Sequence, residues 1–192
     1  MKIELRRRWV AGAALLAAAA AVALAVGPAG AYQTFNNHTL TYGVSGQQYW
    51  LSANAVSNNE NAIVSGVGLW NATSTPASYS RTYTQSSSRM DFYYNATGGY
   101  CATTYYYVDE SPVNPNNQNW WWGKVYTTEH LKEPINCGNA DHRPAILAHE
   151  QGHVMGLNHL DNGPARLMYT YISGTNVNSP QPDDIAGINF LY

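Results

Sequence analysis

The stretch "AHEQGHVMGLNHLD", Ala148 to Asp161, holds three of the chain's six histidines within eleven residues. Pro144 suits a first helical turn, and Ile146 and Leu147 carry an apolar stripe into the stretch, so it reads as a helix. On a helix His149 and His153 lie on one face, one turn apart. Two imidazoles so placed can take adjacent corners of a tetrahedral zinc, and Glu150 sits beside them, where its carboxylate can hold a water on the same metal. Gly156 permits the positive-φ conformation that ends a helix and turns the chain. That turn brings His159 back as a third nitrogen ligand, with one coordination position open. Asp161, two residues further on, is read as a loop acid, and His38, His130 and His142 as ordinary polar residues.

The rest of the chain bounds this reading. Its 192 residues are 45 % apolar and 12 % aromatic, enough for one well-packed domain. Only 11 % are charged, so neutral Tyr, Asn, Ser and Thr carry the surface polarity. The first residues form a secretory leader: Lys2, Arg6, Arg7 and Arg8, an Ala/Leu/Val run to about Val26, then "GPAGA" ending at Ala31. Residues 1–31 are therefore expected to be removed, leaving one domain over 32–192 in the extracellular space. Of ten Lys+Arg and twelve Asp+Glu, the leader takes Lys2, Arg6, Arg7, Arg8 and Glu4, so the mature domain has a net charge of −5. With no basic stripe, nucleic acid is excluded as a partner, and so is a membrane once the leader is gone. The two cysteines, Cys101 and Cys137, are expected to form a disulfide, because exported chains meet an oxidising environment.

Strands are expected at Thr39–Val44, Ser88–Tyr94, Ala102–Val108 and Gly123–Thr128, each rich in β-branched or aromatic residues. Helices are expected from about Asn58 to Thr73, from Pro144 through the histidines, and from Asp183–Asp184 to the end. Strands flanked by a few long helices make an α+β domain.

"HEQGHVMGLNH", His149 to His159, fills the pattern His-Glu-x-x-His-x-x-Gly-x-x-His, and the chain resembles the metzincin zinc endopeptidases that carry it. "RLMYT", with Met168 and Tyr169, is similar to their Met-turn. Within that class the resemblance is to matrixins, the matrix metalloproteinase catalytic domain. "NAIVSGVGLWNAT" is similar to their first helix, "TLTYGV" to their first strand, and "PDDIAGINFLY" to their closing helix. The resemblance implies a zincin-like single domain, a twisted mixed sheet with three helices and an active-site cleft. It implies one catalytic zinc on His149, His153 and His159, Glu150 as general base, and a monomer acting on protein or peptide substrates. A substrate strand would add to a sheet edge, expected at Gly123–Thr127. Calcium is a further family-level expectation, although no ordered calcium loop is present. The departures are Thr170, where matrixins usually have proline, and the missing His- and Asp-rich loop, so no second zinc is expected. The alternative reading is a catalytically inactive zinc-binding module of the same fold. After leader removal the amine of Tyr32 is expected near Asp183 or Asp184, as in matrixins.

Overall fold

The computed structural model describes residues 32–132, 137, 140–161, 163–172 and 175–192. The segment expected to be a leader, residues 1–31, lies outside the described residues. None of the described helices is long and apolar enough to cross a membrane.

The described elements run β1 (Gln33–Thr34), β2 (Gln47–Leu51), α1 (Ala53–Asn71), β3 (Tyr79–Arg81), β4 (Met90–Tyr94) and β5 (Ala102–Val108). They continue with β6 (Ser111–Val113), β7 (Trp122–Thr127), α2 (Arg143–Val154), β8 (Leu157–Asn158) and α3 (Pro182–Leu191). Six strands form one sheet in the order β3-β2-β4-β7-β5-β6, and β1 pairs with β8 separately. Strands β2, β3, β4 and β7 are mutually parallel, whereas β5 runs antiparallel to β7 and β6. The fold is thus an α+β single domain with a mixed sheet and three helices among the described residues.

Two expectations about strands are corrected. Thr39–Val44 is not a sheet strand: Leu40 makes one isolated bridge to Trp120, and Gly43 and Gly46 at φ +72° and +65° turn the chain. Its β propensity is local, and the two left-handed glycines override it, so the first strand of the large sheet is the less β-prone "QQYWL". Gly123–Thr127 is no edge either, because β7 lies between β4 and β5 and is hydrogen-bonded to both. The open edge belongs to β5: β6 covers only Tyr106–Val108, which leaves Ala102–Tyr105 unpaired on their outer side among the described residues.

Helix α1 begins at Ser52, whose side chain accepts from Ala55 N, and buries Ala55, Asn59, Ile63, Gly66, Val67 and Trp70 as one stripe. A Cβ on Gly66 would come within 2.9 Å of Leu147 Cβ, so α1 and α2 cross in close contact there. Trp70 Nε1 donates to Ala148 O at 2.7 Å, and on α2's other side Trp120 Nε1 donates to Val154 O at 2.9 Å. Every residue of α2 from Ala145 to Val154 is buried. Two indoles and the α1 crossing therefore hold the helix that carries His149, Glu150 and His153.

Helix α3 is closed by a capping box between Gln181 and Asp184. Asp184 also accepts the backbone N–H groups of Leu167 and Met168 at 2.9 and 3.1 Å, tying the turn after the histidines to α3. Asp183 pairs with Arg166 at 2.8 Å. Tyr32 packs on the same helix, against Phe190 with ring centroids 5.5 Å apart and beside Gly187. Cys101 and Cys137 form the disulfide, which joins the start of β5 to the segment before α2. A loop of this size is worth about 4 kcal/mol in the chain-entropy account.

Candidate metal centre

The end of α2 sets the centre. Gly156, at φ +110°, turns the chain where a Cβ would meet Leu191 Cδ1 at 2.8 Å and His38 O at 3.0 Å, so both conformation and space require glycine. The turn carries His159 back over the helix. His149 Nε2 and His153 Nε2 lie 3.1 and 3.0 Å from His159 Nε2. Nitrogens around a tetrahedral zinc with about 2.05 Å bonds are roughly 3.3 Å apart, so the spacing is close to what the ion needs.

Two of the rings are oriented from behind. His149 Nδ1 is 2.7 Å from Leu167 O, and His153 Nδ1 is 2.8 Å from Leu157 O. A carbonyl only accepts, so each Nδ1 carries the proton and each Nε2 presents its lone pair to the shared point. Burial first, then the neighbouring His159, lowers the His149 pKa to about 4, while the Leu167 carbonyl opposes the shift. His153 is held well below its usual range, by burial first and then by both other histidines, and His159 is lowered mainly by burial. The lone pairs of His149 and His153 converge on His159 Nε2, and a borderline-soft divalent cation such as zinc satisfies all three nitrogens. The donor set therefore fits the ion that the sequence implied.

Glu150 is buried beside this point. Thr104 Oγ1, on the open edge of β5, donates to Glu150 Oε2 at 2.6 Å. Burial raises the Glu150 pKa to about 7, and the Thr104 hydrogen bond pulls the other way. The carboxylate thus stands between two hollows. One, about 420 Å³, is lined by His149, Glu150, His159, Ile146, Ile172 and the disulfide. The other, about 400 Å³, is lined by Glu150, His153, Phe35, Thr104 and Asn158. Together they form a cleft along Ala102–Thr104.

Met168 lies beneath α2, its sulfur against Gly152. Asp184 fixes the Leu167–Met168 turn, and Leu167 O in turn orients His149. Asp161 lies outside the nitrogen cluster and accepts from Thr170 Oγ1. Of the remaining histidines, His130 lines the larger hollow, and His142 holds Ile172 O at 2.7 Å on its wall. Thr104 and Ile172 were not singled out from sequence, and Asp184 was named only as a helix start and a partner for the amino terminus. Nothing local marks a strand threonine or a helix-start aspartate as a neighbour of groups tens of residues away.

A search of curated proteins finds no match. Among solved structures, a chain of the GM1-bound form of the ECX AB5 holotoxin is similar at 12 % identity and a TM-score of 0.47, over 83 % of this chain and 86 % of that one. The matrixin family of M10 peptidases matches residues 34–192, which takes in every described strand and helix except the first residue of β1. The chain, with its three-histidine centre and mixed sheet, belongs to the matrixin family.

Proposed function

We propose that residues 32–192 are a secreted zinc endopeptidase, exported by the 1–31 leader and active outside the cell. The observation that carries this reading is Glu150: a buried carboxyl with a pKa near 7, held by Thr104 next to three converging imidazoles, on the rim of a cleft with an open strand edge. Zinc binding needs no such carboxylate, whereas hydrolysis does.

Zinc held by His149, His153 and His159 would supply a Lewis acid that acidifies water and polarises a peptide carbonyl. The protein supplies the rest. A substrate segment pairs with the unpaired backbone of Ala102–Tyr105, as an added strand does, which sets a peptide bond beside Glu150. Thr104 occupies Oε2, so Oε1 takes the proton from water and later delivers it to the leaving amine. A pKa near neutrality suits one carboxyl to both steps. Met168 and Asp184 act at a distance as positioning residues, holding the Leu167 carbonyl that fixes the His149 ring.

The test is metal analysis and casein cleavage by the mature chain and by Glu150→Ala. The expected result is equal zinc content, with cleavage lost in the variant and in chelator-treated wild type. Zinc-loaded wild type that cleaves neither casein nor a diverse peptide library would make the domain an inactive zinc-binding module.

A further inference from the structure

The sheet face turned away from α1 and α2 is unlike an ordinary solvated surface. Alternation along β7 points Gly123, Val125 and Thr127 inward and Trp122, Lys124 and Tyr126 outward. Tyr126 stacks on Tyr93 of β4 with ring centroids 5.0 Å apart, and Trp122 stacks on Tyr107 of β5 at 5.3 Å. Tyr105 meets Tyr126 edge-on and remains 49 % exposed. Lys124 is the cation of this array, and its ammonium lies 4.3 Å from the Tyr107 ring centroid. Where β5 leaves the array, the face sinks into a groove of about 440 Å³, within the range of small-molecule sites. Its walls are Tyr100, Tyr105, Tyr107 and Tyr126, and its polar groups include Asn95 and Thr103.

Two observations decide what this groove suits. No residue lining it carries a charge, and the one cation of the array, Lys124, lies against the Tyr107 ring, so the groove offers an ionic ligand little to neutralise. It offers instead aromatic surface beside hydroxyl and amide groups that both donate and accept. A pyranose ring has the matching chemistry, with apolar C–H faces for the rings and hydroxyls that both donate and accept at its rim. A proline-rich peptide would pack on the same rings but brings backbone acceptors with few donors, using half of what the groove presents. The second observation is continuity: Gly99 and Tyr100 line both this groove and the larger hollow beside His149 and Glu150.

We propose that the groove at Tyr100, Tyr105 and Tyr126 binds an uncharged oligosaccharide and so holds the domain on a glycan next to its cleft. The site stands apart from the proteolytic reading, because it is tested by binding alone.

The experiment uses the mature chain carrying Glu150→Ala, which removes any contribution from hydrolysis. It is titrated by calorimetry with cellohexaose, chitohexaose and maltohexaose, and with a proline-rich decapeptide. At least one hexasaccharide is expected to bind, with affinity falling tenfold or more in Tyr105→Ala and in Tyr126→Ala. Tyr83→Ala, 84 % exposed and outside the groove, should bind as the parent does. Thermal melts check the folding of each variant, and amide chemical-shift changes in the unsubstituted groove should cluster at Tyr100–Tyr105 and Tyr126. Absence of binding to all three sugars at millimolar concentration overturns the proposal. So does binding that Tyr105→Ala leaves intact, or shifts that map elsewhere. Tighter binding of the peptide than of every sugar also overturns it and makes the groove a peptide site.

Discussion

The sulfur of Met168 sits against the backbone of Gly152, at the place where any larger residue would put its Cβ: an atom built there comes 2.5 Å from Met168 Sδ and 3.5 Å from the Trp70 ring. This contact joins the turn beneath the metal centre to the middle of α2. Because Leu167, next to Met168, orients His149, a change at Gly152 reaches the metal through one backbone carbonyl.

Gly152→Ala is therefore expected to displace Met168 and its turn. Overpacking of this kind costs about 1–3 kcal/mol. In a domain of this size each kcal/mol lowers Tm by about 2–4 °C. Calorimetric melting, together with zinc competition against a chelator, should show a loss in both stability and metal affinity. Unchanged zinc affinity would uncouple the Met168 turn from the ligands.

Thr104→Val removes the hydroxyl that donates to Glu150 Oε2. That hydrogen bond favours the ionised carboxylate and lowers its pKa, so its loss raises the pKa. The acidic limb of the pH–kcat/KM profile for peptide hydrolysis should move to higher pH, with zinc content unchanged. A profile that falls in height without moving would assign Thr104 a merely structural role.

The metal-free domain should lose stability on acidification. His149 in the folded chain has a pKa of about 4 against 6.5 unfolded, and His153 and His159 are shifted the same way. The unfolded state then binds more protons between about pH 6.5 and 4, so the contribution of these groups is present above 6.5 and lost as pH falls through that window. Glu150, raised from 4.5 to about 7, works in the opposite sense, one group against three. Urea unfolding of chelator-treated protein should show a midpoint that drops from pH 6.5 to 4.5. A flat or rising midpoint would contradict the burial-driven shifts.

Gln151 is fully buried in α2, and neither its Nε2 nor its Oε1 has a hydrogen-bond partner among the described residues. A buried amide without partners costs about 1–3 kcal/mol. Gln151→Met fills similar volume without polar atoms and should raise Tm by about 2 °C or more while keeping the zinc stoichiometry. An unchanged or lower Tm would show that the amide is satisfied in solution.

The parts of this protein that a reader of the sequence can derive are those governed by short-range geometry. Four-residue spacing puts His149 and His153 on one helical face, and a left-handed Gly156 returns the chain three residues later. The closing of His159 onto that face thus needs no distant contact. The periodic stripe of α1 and the aspartates opening α3 are local in the same way, and so is the alternation in "ATTYYYV" and "GKVYT". Tertiary structure decided what depends on partners far along the chain. The order of strands is set by packing on α1 and α2, so it alone makes β5 the open edge and places β7 inside the sheet. It brings Thr104 to Glu150 across 46 residues and Asp184 to Met168 across 16, and it sets Tyr105 against Tyr126. Two left-handed glycines, Gly43 and Gly46, leave "TLTYGV" outside the sheet despite its β propensity, a local cause set against another local preference, and only the assembled sheet shows which of the two prevails. Spacing along a helix carries its own geometry, whereas the neighbours of a strand exist only once the whole sheet has assembled.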